Sequence, residues 1–159
     1  GTTLGCLRAL DHLIDEGLSP KSVADIGCGT AVLAMAAARI WDVPIIASDI
    51  DEVAVDVARA NLDANGLSQN VETVEAAGFD HPSIADIGPF DLIFANILMG
   101  PLIELAPDMA KAAAPGGHVI LSGLLNEQAE NVTTAYRASG FNLIRSEQIV
   151  DWTTLILTV

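Results

Sequence analysis

Short apolar runs alternate along this chain with longer stretches in which apolar positions recur every three or four residues, the signature of strands alternating with amphipathic helices. A helix-like pattern begins directly after Gly1, Thr2 and Thr3. Segment 22–26, Ser-Val-Ala-Asp-Ile, predicts a strand that runs into glycines and then into a helix from Val32 to Trp41. Segment 44–49 predicts a second buried strand. Asp51 is placed to cap the next helix, which stops at Gly66 and offers Ala54, Val57, Ala58 and Leu62 as its buried face. Val71 to Val74 and Phe90 to Ala95 predict strands three and four, with a less regular stretch between them. Pro101 and Pro107 each suit the first turn of a helix, so 99–114 is expected to hold a broken or two-part helix before Pro115, Gly116 and Gly117. His118 to Ser122 predicts strand five. A helix capped at Asn126 and ended by Gly140 follows, and 141–148 and 152–158 close the chain as two strands with no helix between them.

Repeated strand–helix units force parallel pairing through right-handed crossovers, whereas the short final connection makes its two strands antiparallel neighbours. The expected fold is one α/β domain over residues 1–159: a doubly wound, seven-stranded mixed sheet, mostly parallel, with an antiparallel final strand. No repeat, low-complexity tract or composition shift marks a linker. Half of the residues are apolar (51%), but charge, Gly or Pro interrupts each apolar run before it could span a bilayer. Cys6 and Cys28 have no paired spacing that indicates a metal site or a disulfide framework, which suits a reduced, cytoplasmic setting. A formal charge of −14 with seven Lys and Arg opposes unassisted capture of nucleic-acid phosphates and makes a basic protein the easier partner, although acidity also serves solubility alone.

The run Asp25-Ile26-Gly27-Cys28-Gly29-Thr30-Ala31-Val32-Leu33 sets two glycines between a strand end and a helix start, where backbone must approach a ligand or turn sharply. Asp49 lies at the end of the second strand, where an acidic side chain can accept both hydroxyls of a ribose. Together they describe a nucleoside site. Val32 occupies the position where a dinucleotide fingerprint requires Gly or Ala, which disfavours a pyrophosphate ligand. Asp25 is placed either to meet a cationic amino group or to stand in solvent at a strand end. Asp51 is assigned to helix capping. His12, His81 and His118 are scattered without ligand-like spacing, so no metal is expected. Ser122 lacks a nucleophile elbow, and Trp152 either borders a substrate cleft or packs into the core.

Asp25-Ile-Gly-Cys-Gly, Ser48-Asp49-Ile50-Asp51 and Phe90-Asp-Leu-Ile-Phe-Ala-Asn96 resemble the class I S-adenosylmethionine-dependent methyltransferases. Ala95-Asn96-Ile97-Leu98-Met-Gly-Pro101-Leu102, Leu121-Ser122-Gly123-Leu124-Leu125, Asp151-Trp152 and Thr2-Thr3 narrow the likeness to the ribosomal protein L11 methyltransferase (PrmA) family. The resemblance covers nearly the whole chain and implies a Rossmann-like fold. It implies an S-adenosylmethionine-dependent protein N-methyltransferase acting on a lysine side chain or an N-terminal amine, with a basic ribosomal protein as partner. It further implies that Asp25, Gly27 and Gly29 cradle the methionine part of the cofactor, that Asp49 holds the ribose and Ile50 packs on the adenine, and that Asn96 faces the transferring methyl as the catalytic residue. Two departures stand out: Ala31 replaces a usual third glycine, and the family's Gly-Thr-Gly-x-His stretch does not precede Thr2-Thr3. On that likeness the sequence is expected to hold the catalytic domain without an amino-terminal substrate-recruiting domain. The Asn96 carboxamide can orient a neutral amine, or it can satisfy backbone groups at the turn after strand four. The competing readings are a nicotinamide-dinucleotide oxidoreductase, a nucleic-acid amino methyltransferase and a non-catalytic nucleoside-binding module.

Overall fold

The computed structural model describes all residues, Gly1–Val159. In chain order the elements are α1 (Thr2–Asp15), β1 (Val23–Ile26), α2 (Val32–Ile40), β2 (Ile45–Asp49), α3 (Glu52–Ala64), β3 (Glu72–Glu75), α4 (Pro82–Ile87), β4 (Phe90–Asn96), α5 (Met99–Ala112), β5 (Ala113–Leu125), α6 (Ala129–Ala138), β6 (Asn142–Ile149) and β7 (Trp152–Thr158). The strands form one sheet in the order β3-β2-β1-β4-β5-β7-β6. All pairs are parallel except those of β7, which inserts antiparallel between β5 and β6. The seven strands, the mixed sheet and the antiparallel closing strand are those expected.

Strand alternation divides the interior into two layers. Ala24, Ile26, Ile46 and Ile93 face the layer built with α4, α5 and α6. Val23, Ile45, Ala47 and Leu92 face the layer built with α1, α2 and α3. The order reverses at the central pair: β1 leads through α2 to β2 on one side, and β4 leads through α5 to β5 on the other. The two helices leave on opposite faces, and a crevice opens beyond the carboxyl ends of β1 and β4. No helix is long and apolar enough to cross a membrane.

Several local expectations are corrected. Met99–Ala112 form a single helix with Pro107 inside it, because Pro107 lies on the exposed face while Leu102, Ala106 and Met109 hold the helix to the core. The less regular stretch contains α4, whose first turn has Pro82 at its start and the His81 Nδ1 accepting from the Ser83 N–H at 3.0 Å. Strand β5 begins at Ala113 and carries Pro115–Gly117 as a bulge, since pairing shifts between Phe90↔Ala113 and Leu92↔His118. Asn126 does not cap α6. Its Nδ2 donates to the Val150 carbonyl at 2.9 Å and its Oδ1 accepts from Thr153 Oγ1 at 2.8 Å, so it ties the β6–β7 turn while a 3₁₀ turn, Asn126–Gln128, leads into the helix. On α3 the buried residues are Val55, Ala58 and Leu62; Val57 faces solvent, one position round the helix from its expected place. Asp51 does cap that helix, with Oδ1 accepting from the Val53 N–H at 2.9 Å.

Candidate functional site

At the carboxyl end of β1 the backbone turns back through three positive φ angles, +72° at Gly27, +52° at Gly29 and +65° at Ala31. The N–H groups of Gly27 and Cys28 both donate to the Ser48 carbonyl at 2.8 Å, which pins the turn to β2. Asp49, one residue further, closes it from the side: Oδ2 accepts from the Gly29 N–H and Oδ1 from the Asp51 N–H, each at 3.0 Å. Each carboxylate oxygen keeps a further lone pair for a ligand.

Asp25 lies beneath the turn. The odd positions of β1 face the helical layer, so its side chain is only 2% exposed, and Oδ2 accepts from the Ala34 N–H at 3.1 Å. Burial pushes its carboxyl up to about 7, against the opposing Ala34 hydrogen bond and with the Asp49 charge adding. Ala31 is fully buried, with its methyl in the core shared by α1, α2 and α3 rather than in the crevice. Burial, together with the charges of Asp25 and Asp49, raises the Cys28 thiol to about 12, so it is not a thiolate at neutral pH.

Two recesses meet over this edge. The first, about 690 Å³, is lined by Gly27, Asp49, Ile50, Gly78, Ile97 and Leu98 and by the α5 residues Pro101, Glu104, Leu105 and Asp108. Ile50 is 73% exposed and forms an apolar ledge on it. The second, about 520 Å³, is lined by Gly1, Thr2, Asn96, Ile97, Leu98, Gly123 and Trp152. Ile97 and Leu98 belong to both. A third cavity, about 730 Å³ between α4 and α5, touches the first recess only at Ala77 and Asp108 and holds none of the expected site residues.

Ile97 is fixed from both sides. A Cβ on Gly27 would fall on its γ2 methyl, and a Cβ on Gly123 would fall on its carbonyl oxygen, 2.9 Å from the carbonyl carbon and 3.1 Å from the nitrogen. Gly123, at φ +83°, sits in the bulge where the β5–β7 register shifts between Leu121 and Leu124. Ser122, paired with Asn96 across β4 and β5, is wholly buried and bonds Thr154 Oγ1 at 3.0 Å. The structure therefore brings Gly27, Asp49 and Ile50 to one recess and Asn96 to the adjoining one, while Asp25 and Gly29 brace the turn between them. Sequence reasoning missed Gly123 and Ile97 as a packed pair, and Glu104 and Asp108 as lining residues. The second pair had a signal, since 101, 104, 105 and 108 share one helical face.

The profile described as "Ribosomal protein L11 methyltransferase (PrmA)" matches residues 1–159. This chain belongs to that family. The ribosomal protein L11 methyltransferase of Rhodopseudomonas palustris (strain BisB5) is 49% identical over 157 residues, covering 99% of this chain and 53% of that protein. That of Brucella abortus (strain S19) is 44% identical over 158 residues, covering 99% and 55%. The chain thus spans about half the length of the curated relatives it matches. Among solved structures, a ribosomal protein L11 methylase from Lactobacillus delbrueckii subsp. bulgaricus superposes with a TM-score of 0.81 at 29% identity, over 98% of this chain and 74% of that one. A methyltransferase from Pyrococcus furiosus, at 20% identity and a TM-score of 0.75 over 96% of this chain and 82% of that one, shares the fold. The stretches that carried the PrmA likeness, Asn96-Ile97-Leu98 and Ser122-Gly123, are those that meet at the junction of the two recesses.

Proposed function

We propose that this domain binds S-adenosylmethionine in the first recess and directs its methyl to a protein amine entering through the second, with ribosomal protein L11 as acceptor and the cytoplasm as setting. The observation that carries this reading is the junction itself: a nucleoside-sized cleft and an open recess share Ile97 and Leu98, with Asn96 on the acceptor side. The residues present fit the cofactor. Gly27 leaves backbone open to the methionine part, the free lone pairs of Asp49 suit two ribose hydroxyls, and Ile50 offers a flat apolar ledge to a base. Asp25 supports the turn from below, accepting from the Ala34 N–H. The recess is lined by carboxylates and by no Lys or Arg, which favours a cationic nucleoside over a dinucleotide with two phosphate charges.

When bound, the sulfonium supplies an activated methyl for in-line displacement. The chain's part is then positional. The Asn96 carbonyl oxygen accepts a hydrogen bond from the incoming neutral amine and aims its lone pair, and Trp152 walls the recess with an aromatic face against the alkyl stem. The relatives' names and the acidity of the domain support a basic ribosomal acceptor. Asn96→Ala tests the assignment: the methylation rate should fall roughly 100-fold while calorimetric affinity for S-adenosylmethionine changes less than about threefold. Equal loss of both, or loss of neither, defeats it. Titration with nicotinamide dinucleotides should give no saturable heat.

A further inference from the structure

We propose that Asn61 is a positioning residue for the methyl donor, holding the turn after β1 in its left-handed form through the Thr30 carbonyl; the proposal rests on the S-adenosylmethionine reading above. The turn needs holding because of Ala31. Glycine adopts positive φ freely, whereas a residue with a Cβ is disfavoured there by roughly tenfold. Ala31 stands at φ +65°, is wholly buried, and is the N-cap of α2 with no polar side chain to fix the helix start.

The backbone at Ala31 follows the plane of the peptide before it, whose rotation is set by ψ of Thr30 and φ of Ala31. That peptide is clamped at both ends. Its N–H donates to the Cys28 carbonyl at 2.8 Å, and its carbonyl accepts from Asn61 Nδ2 at 3.0 Å. The first clamp is internal to the turn; the second comes from a different helix. Asn61 reaches the turn because Ala58 and Leu62 dock α3 and Asp51 caps it. A hydrogen bond of this kind favours the clamped form by roughly fivefold, which offsets a large part of the disfavour at Ala31. Rotation of the peptide would disturb Gly29 as well, and the Gly29 N–H donates to Asp49 Oδ2 at 3.0 Å. Asn61 lines neither recess, so it acts on the ligand only through the turn and the Asp49 carboxylate. Apparent affinity falls with the fraction of molecules that hold the binding form.

The test is calorimetric titration of wild type, Asn61→Ala, Ala31→Gly and the double variant with S-adenosylmethionine. Asn61→Ala should bind roughly fivefold more weakly than wild type. In the Ala31→Gly background the same replacement should weaken binding less than about twofold, because glycine holds positive φ unaided. Alanine is the better helix former, so Asn61→Ala keeps α3. Ala31→Gly removes a buried methyl, so melting temperatures are recorded and titrations run where all four proteins are folded. Hydrogen exchange of the Ala31 amide in the ligand-free domain is the second readout, expected to be roughly fivefold faster in Asn61→Ala. A merely structural contact between α3 and the turn would lower stability alike in both backgrounds and leave positions 61 and 31 uncoupled in affinity. Equal affinity of wild type and Asn61→Ala, the same loss in both backgrounds, or unchanged exchange at Ala31 overturns the proposal and leaves the cofactor assignment standing. Failure of wild type to bind S-adenosylmethionine overturns both.

Discussion

Gly123→Ala separates the placement of Asn96 from the making of the fold. At φ +83° an alanine costs roughly 1–2 kcal/mol, because its Cβ crowds its own backbone. The new methyl would also occupy the space of the Ile97 peptide, with contacts of 2.9 and 3.1 Å to its carbon and nitrogen. These are backbone atoms, so no rotamer change relieves the collision. The segment that carries Asn96 must retreat by about 1 Å, and a misplacement of that size removes roughly 100-fold from a rate that depends on alignment. The expected variant is folded, less stable by about 2–4 kcal/mol from strain and crowding together, binds S-adenosylmethionine within about threefold of wild type and methylates roughly 100-fold more slowly. Gly140→Ala is the control, because Gly140 has φ +99° and nothing within 4 Å of an added Cβ. It should lose about 1–2 kcal/mol and no rate. Urea unfolding, calorimetry and single-turnover methylation measure the three quantities. Full rate in Gly123→Ala, or the same rate loss in Gly140→Ala, would refute the argument that Gly123 acts through the Ile97 peptide.

Two further outcomes follow from strained or buried groups. Val150 holds φ +54° in the β6–β7 turn although it is β-branched and 85% exposed, so Val150→Asn should stabilise the domain by about 1 kcal/mol and raise the melting temperature by roughly 2–4 °C; a lowered melting temperature counts against it. Asp25 titrates at about 7 in the folded chain against 3.8 for an unperturbed aspartate, so the folded state keeps a proton that the unfolded state has released across that interval. The sign follows: its contribution is complete below pH 3.8 and is lost as pH rises through 7, a difference of about 4 kcal/mol. Asp25→Asn carries no such titration, and its stability relative to wild type should rise by a few kcal/mol between about pH 5 and pH 8 in urea titrations; a constant difference would show that Asp25 is ionised throughout.

The geometry of the first recess was legible because its parts are local. A glycine turn after a strand and a carboxylate at the end of the next strand are each set by a few consecutive residues, and parallel pairing of β1 with β2 brings them together by register alone. The same locality misled where alternation was not followed to its end. Val23 and Asp25 share a face of β1, and Val23 is core, so the Asp25 side chain enters the helical layer under α2 and not the crevice. Pro107 misled for a related reason. Its effect on α5 depends on which face it occupies, and the exposed face leaves Leu102, Ala106 and Met109 free to dock.

The second recess could not be read locally, because it is assembled from four distant places. Thr2 of α1, Asn96 at the end of β4, Gly123 in the β5 bulge and Trp152 at the start of β7 meet only after β7 inserts between β5 and β6 and pairs Trp152 with Leu125. Gly5 then lets α1 lie directly against Thr154, and Ser122 bridges to Thr154 and to the Thr2 carbonyl, at 3.0 and 3.4 Å. Each of these small or hydroxylated residues has an ordinary local reading as a turn, a strand end or a helix start. Their common property is close backbone approach, which is a property of pairs. Ser-Gly in β5 and Asn-Ile-Leu at the end of β4 therefore act as two halves of one contact: the bulge admits the Ile97 peptide, and Ile97 in turn covers Gly27 at the β1–α2 turn. Through that one side chain the second recess is held in register with the cleft that would carry the methyl donor.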